Sequence, residues 1–345
     1  MLVVPTSASA QDDEHGSTLA WAVRPSSLDG PDGRDAFVYE LAPGDTVEDR
    51  VAVSNLSEEP VTFAVYASDA FTTADGGFDL LAANQSPVDV GAWVGFEVEH
   101  VTVPARSSAD VPFRLTVPAN ATPGDHAGGV VASLRTTAED DSGAALVVDN
   151  RVGVRIYLRV SGDLVPQVVI RNLRASYDGS LNPLSGGTPT ATYTVANTGN
   201  VRIAGTARVR VTGPFGVAPR TVDAPEITEL LPDDELSFTI ELDNAQPTGR
   251  SYFTVTLDPV AVGATDVDIP AATATDATWA IPWMYIALVL LVAGAIWSRH
   301  HRRRRSRPTN LPPVDPGPVG DESASSDREH VDDLQARDVE VGRRE

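Results

Sequence analysis

Between residues 18 and 262 apolar and polar side chains alternate in short runs, among them Val47-Glu48-Asp49-Arg50-Val51-Ala52-Val53, Val61-Thr62-Phe63-Ala64-Val65-Tyr66, Asp110 to Val117 and Val152 to Leu158. Successive side chains of an extended chain point to opposite faces, so each run predicts a strand with one face buried and the other wet. Turn residues such as Pro43-Gly44-Asp45 bound the runs. No helical period is sustained in this region, and many short strands between Gly and Pro turns predict an all-β protein built of β-sandwiches. The pattern changes at Trp279 to Ser298, twenty uncharged residues in succession. At about 1.5 Å per residue a helix of that length is roughly 30 Å long, enough to cross a hydrocarbon core once.

The flanks of that segment set an expected orientation. Arg299, His300, His301, Arg302, Arg303, Arg304, Arg305 and Arg307 follow it closely. Basic residues stay on the cytoplasmic side, which predicts residues 299–345 inside the cell as a basic stop and disordered tail, and everything before Trp279 outside. Trp279, Trp283 and Tyr285 are expected at the outer interface and Trp297 at the inner one, with Arg299 and Arg302 to Arg305 as inner anchors. Residues 1–10 end in Ala8-Ser9-Ala10, followed by Gln11-Asp12-Asp13-Glu14. This small-x-small pattern reads as the remnant of a secretory signal cleaved between Ala10 and Gln11.

A weak internal repeat divides the exported part. Val51-Ala52-Val53-Ser54-Asn55-Leu56-Ser57 matches Tyr193-Thr194-Val195-Ala196-Asn197-Thr198-Gly199, each a strand followed by an asparagine able to close the turn with its side chain. A Pro-led strand and a Pro-containing turn then recur, with Pro104, Phe113 to Val117 and Pro123-Gly124 in the first copy and Pro232, Phe238 to Leu242 and Pro247-Thr248-Gly249 in the second. We place the first domain at 18–162 and the second at 163–262. The first is longer because it contains Asp69 to Phe96, with Asp75-Gly76-Gly77 as a hairpin turn, and a further hairpin around Glu139 to Gly143. Residues 263–278, small and polar, are expected to form a stalk, and 279–298 the membrane helix.

Charge narrows the partners. The tail from Arg299 carries 10 acidic residues and 10 arginines, which leaves 38 acidic against 16 basic residues before it, out of a net charge of −22. So acidic a surface repels nucleic acid and anionic polymers. All 26 basic residues are arginine, and the chain has no cysteine, so no disulfide supports either domain. Arginine without lysine, with much Ala, Val, Asp and Gly, is what GC-rich bacterial codons produce.

Catalytic motifs are absent: there is no GxSxG, HExxH, P-loop or cysteine nucleophile, and His15, His100 and His126 are scattered. No cofactor or metal site is expected. Asp233-Asp234-Glu235 and Asp75-Gly76-Gly77-Phe78-Asp79 lack the ligand spacing of an EF-hand and read as exposed acidic turns. The long insertion between Asp69 and Phe96 is more than a sandwich core needs, so its aromatics Phe71, Phe78 and Trp93 are candidates for a ligand surface. The alternative is that they cap one end of the sandwich.

Trp21-Ala22-Val23-Arg24-Pro25, Leu41-Ala42-Pro43-Gly44, Val51 to Asn55, Pro104, Pro123-Gly124-Asp125-His126 with Gly128-Gly129-Val130-Val131, a second immunoglobulin-like domain, one membrane helix and a basic stop together resemble the WxL-interacting proteins. The resemblance covers most of residues 18–300. It implies two tandem immunoglobulin-like sandwiches, the first binding peptidoglycan or another cell-wall glycan, the second of host-binding type, the pair serving as a platform for a secreted surface protein. The expected protein is a single-pass cell-membrane protein, in contact with the lipid bilayer through one helix, and not an enzyme. The alternative is an assembly subunit that pairs with another exported protein through a sheet edge, without binding glycan.

Overall fold

The computed structural model describes residues 19–139, 145–179, 186–243, 245–263 and 267–305. The signal-type residues Ala10 and Gln11, the tip of the hairpin after Glu139 and the tail from 306 lie outside them, as do the side chains of Arg304 and Arg305.

In chain order the first sandwich is built from β1 (Trp21–Ser27), β2 (Gly30–Pro31), β3 (Phe37–Leu41), β4 (Thr46–Asn55), β5 (Val61–Thr72), β6 (Phe78–Leu80), the short helix α1 (Val90–Trp93), β7 (Val94–Phe96), β8 (His100–Val103), β9 (Ser107–Thr116), β10 (Gly124–Glu139) and β11 (Ala145–Val160). One sheet runs β2-β1-β4-β9-β7, and the other β3-β11-β10-β5-β6 with β8 also on β5. All pairings are antiparallel except β3 with β11, where Phe37 lies opposite Ile156. The alternation read from the sequence is the burial pattern: along β9, Val111, Phe113 and Leu115 are buried while Asp110, Arg114 and Thr116 are not. Val51, Val53, Phe63, Ile156 and Leu158 close the core, and the Phe37 ring meets Phe113 edge-on at 5.0 Å. The expected turn at Asp75 joins β5 to β6, with Thr72 opposite Phe78.

The second sandwich contains β12 (Val168–Asp178), β13 (Thr188–Asn197), β14 (Ile203–Thr212), β15 (Arg220–Asp223), β16 (Ile227–Leu230), β17 (Glu235–Glu241), β18 (Gly249–Ala261) and β19 (Ala272–Ala280). Its sheets are β12-β13-β17 and β15-β14-β18-β19, with β16 also on β14. Tyr193, Val195, Val209, Phe253, Val255 and Leu257 form a core of its own. The fold is all-β.

The asparagine repeat does the same work twice. Asn55 is fully buried; its Nδ2 donates to the carbonyls of Glu59, Val103 and Pro104 at 2.7, 3.1 and 3.2 Å, and its Oδ1 accepts from the Ser57 amide at 2.9 Å. Asn197 donates to Val201 and Leu230 at 2.8 and 3.1 Å and accepts from Gly199 at 3.2 Å. In each sandwich one amide satisfies backbone groups of two loops that would otherwise be buried unpaired.

The expected stalk is corrected by the structure. Residues 272–280 are β19, paired with β18 from Ala272 opposite Leu257 to Ala280 opposite Gly249. Asp276 Oδ2 accepts from the Ala175 amide at 2.8 Å, beside the register shift between Arg171 and Arg174 in β12, and Ile269 is buried in the second core. Small residues alternating with Thr suffice for an edge strand, because such a strand needs little apolar surface once its backbone is paired. Trp279, expected at the head of the membrane helix, accordingly lies in β19, and Pro282, which has no N–H to continue the ladder, precedes the helix. That helix, α2 (Trp283–Arg305), carries Trp283, Tyr285, Trp297, Arg299, Arg302 and Arg303. By length and composition it is the one helix among the described residues able to cross a membrane.

Candidate functional site

The insertion after β5 is held from within. The carboxylate of Asp69, buried at the end of β5, accepts the backbone N–H groups of Val88, Asp89 and Gly91 at 2.6, 3.0 and 2.7 Å. It thereby docks α1 onto β5 and β10. The approach is close: a Cβ on Gly91 would lie 2.5 Å from the Ser68 backbone, and one on Gly128 would lie 2.8 Å from Val90. So docked, α1 and the residue that caps it present two side chains to β10. Asp89 meets His126 Nδ1 at 2.8 and 2.9 Å, and the Trp93 ring lies 4.9 Å from the imidazole.

His126 has acceptors on both sides, because its Nε2 lies 2.9 Å from the Thr122 carbonyl. Only the doubly protonated ring donates to both. Burial alone would lower its pKa, but the hydrogen bond and charge of Asp89, the Thr122 carbonyl and the charge of Asp125 outweigh burial, and the value stands above the ordinary 6.5.

One residue earlier, Asp125 ties the sandwiches together. Its buried carboxylate takes a two-pronged contact from Arg159, Nε at 2.7 Å and Nη2 at 2.9 Å, and accepts the Arg202 backbone N–H at 2.8 Å. Arg202 in turn pairs with Glu229 at 2.7 Å and lays its guanidinium over the Tyr157 ring at 3.9 Å, while Tyr157 donates to Glu229 at 2.9 Å. Burial first, and then the Glu229 charge, raise the Tyr157 pKa, so the phenol stays a donor. Gly124 has φ +123°, and a Cβ there would sit 2.3 Å from the Asn200 carbonyl, so no other residue fits the crossing. Asn200 answers with Nδ2 to Pro123 at 2.8 Å, and Asp234 accepts the Thr72 amide at 2.6 Å.

A groove of about 740 Å³ opens beside this joint, lined from the first sandwich by Asp89, Trp93, Asn120 and His126 and from the second by Asn200 and Asp233. Trp93 also lines a second hollow of about 460 Å³ with Phe96 and Arg114. It is therefore the one sequence-nominated aromatic placed in concave surface on two sides. Phe78 is elsewhere: its ring packs edge-on to Tyr157 at 6.0 Å with Arg155 over it at 4.6 Å, continuing the stack at the joint. Phe71, opposite Asp79 on β5, occupies the register position next to the Thr72–Phe78 pair, so its side chain is on the other face of the hairpin. The three do not form one surface. Of the acidic turns, Asp75 is engaged by Thr73 and Asp234 by Thr72, while Asp233 lines the groove.

Sequence reading missed Asp89, His126, Asp125, Arg159, Arg202 and Glu229. The only signal was Pro123-Gly124-Asp125-His126, which reads as a turn but is the point where groove and joint meet.

Two immunoglobulin-like sandwiches joined through this buried charge cluster define a tandem-sandwich protein. Residues 34–133 match the family model described as WxL Interacting Protein, peptidoglycan binding domain, and to that extent the first sandwich is similar to the WxL-interacting proteins. The matched stretch contains Asp69, Asp89, Trp93, Asp125 and His126. Similar solved structures include a chaperone–tip adhesin complex of CFA/I fimbriae (12% identity, 75% of this chain and 98% of that one, TM-score 0.36) and the class 5 fimbriae chaperone CfaA (12%, 74% and 99%, 0.34). A third is the CsuC–CsuE chaperone–tip adhesion subunit complex of Acinetobacter baumannii (11%, 69% and 94%, 0.31). No curated protein matches the chain.

Proposed function

We propose that this is a membrane-anchored bacterial surface protein whose first sandwich holds cell-wall peptidoglycan in the groove beside Trp93. The observation that carries the reading is the match of residues 34–133 to a peptidoglycan-binding domain family, since those residues include the Trp93 and His126 wall of the groove. An indole between two hollows offers a flat apolar face to a sugar ring, and the amides of Asn120 and Asn200 offer donors and acceptors to its hydroxyls. The role is binding rather than catalysis: His126, the one imidazole in the groove, is engaged at both nitrogens and has no free lone pair to act as a base. In this reading α2 crosses the membrane with its arginine end in the cytoplasm, and the sandwiches are exported.

The test is retention of the detergent-solubilised full chain on purified sacculi. We expect wild type to be retained, and Trp93→Ala to be lost from the pellet with at most a few degrees' change in melting temperature. Absence of wild-type retention, with capture of a secreted protein instead, would overturn wall binding in favour of assembly through a sheet edge.

A further inference from the structure

The two ends of the second sandwich differ. The end at Asn197, Ile203 and Glu235 meets the first sandwich; the opposite end is where β14 stops, β18 starts and β19 finishes at Ala280. Only Ile281 and Pro282 separate Ala280 from the first residue of α2, and the three Cα–Cα steps between them reach at most about 11 Å. If α2 spans a bilayer, the Ala280 end of β19 is therefore tethered close to the bilayer surface.

The chemistry of that end suits such a surface. The connection from β14 to β15 is a closed loop, with the Gly213 amide donating to the Val217 carbonyl at 2.8 Å. It holds Phe215 in the left-handed region at φ +57°, with the ring fully exposed at 105%, and Val217 half in solvent at 51%. A bulky residue is rarely found with that backbone and still more rarely with its whole ring in water. The loop adjoins the start of β18, since a Cβ on Gly213 would lie 2.7 Å from the Thr248 side chain. There Arg250 sits between exposed rings, its guanidinium 5.6 Å from Tyr252 and 5.7 Å from Trp279, which is 65% exposed. Aromatic rings beside an arginine are what the headgroup layer of a bilayer accommodates, the rings among glycerol and upper acyl carbons and the guanidinium on phosphate. The same end carries Arg220 at the start of β15 together with the acidic residues Asp178 at the end of β12 and Asp243.

We propose that this end of the second sandwich is a lipid-docking face: Phe215 and Val217 enter the outer leaflet beside the protein's own helix, and Arg250 takes phospholipid phosphate. The inference rests on the spanning reading of α2, and one experiment tests both separately. The chain has no cysteine, so single-cysteine variants of the full protein accept one fluorophore each. In vesicles of phosphatidylglycerol and phosphatidylcholine containing brominated acyl chains, a fluorophore at Val217→Cys is expected to be quenched severalfold. So is one at Leu290→Cys in α2, but not one at Leu28→Cys in the first sandwich. Quenching at 217 is expected to disappear when Phe215→Ser is added. Quenching at 290 without quenching at 217, or quenching at 217 that survives Phe215→Ser, would overturn the docking face while leaving the anchor intact. No quenching at 290 would remove the anchor and the docking face with it.

Discussion

His126 carries the clearest charge argument in the molecule. Its pKa is raised in the folded state, so its contribution to stability is fully present below about pH 6.5 and is lost as pH rises through the folded value. The expected outcome is a melting temperature that falls from pH 6 towards neutral and alkaline pH, and a shallower fall in His126→Gln. A slope unchanged in that variant would sink the assignment. Tyr193 offers the opposite case: its side chain is fully buried in the second core, and its hydroxyl has no hydrogen-bond partner among the described residues. Tyr193→Phe removes that desolvated group and keeps the ring that stacks on Phe238, so we expect a gain of about 1 kcal/mol in chemical denaturation. A loss of stability would show that the hydroxyl is satisfied. Residues of these kinds differ in legibility. Asn55 and Asn197 were readable because a turn-closing amide works within a few residues of its own chain. His126 was not, because its partner Asp89 is 37 residues away inside an insertion, and no spacing rule encodes that contact.

Two elements show how a local cause fixes a larger piece. The insertion from Asp69 to Phe96 is attached through β6 on β5, β7 on β9 and the buried Val90, and the Asp69 carboxylate fixes the start of α1 within that frame. Asp69→Ala would leave three backbone donors without their charged acceptor. We expect a loss of roughly 3 kcal/mol, together with loss of wall retention because Asp89 and Trp93 move with α1. Retention equal to wild type would show that α1 docks by other means. The strands were legible wherever one face buries Val, Ile, Leu or Phe, as in β4 and β9. β19 was not, because Ala, Thr and Asp read as spacer by composition while their place against β18 is decided by backbone pairing. Hydrogen exchange separates the two descriptions. Amides of 272–280 that pair with β18 should exchange orders of magnitude more slowly than those of an unpaired stalk.

At the scale of the whole molecule, the groove exists only while the sandwiches keep their relative position, since its walls come from both. That position rests on a small set of charges. Asp125 is almost wholly buried, and it is the common acceptor for Arg159 and for the Arg202 backbone, whose side chain in turn holds Glu229 and Tyr157. A buried pair of this kind adds little over an apolar contact when intact, but removing one partner strands the other charges and costs roughly 3–5 kcal/mol. Asp125→Ala should therefore uncouple the sandwiches without unfolding either core, because Val23 to Val160 and Val168 to Ile269 form separate clusters. Calorimetry of the full chain is expected to show one transition for wild type and two for the variant. Retention on sacculi should fall even though Trp93 and His126 are untouched. The ten residues of β13, at about 3.3 Å each, place the groove roughly 33 Å from the end that leads into α2. Under the proposed function, a loose joint would thus leave the first sandwich folded but without a fixed groove to offer the wall. Wild-type retention in a variant that melts in two steps would show that the first sandwich binds by itself and that the joint serves only reach.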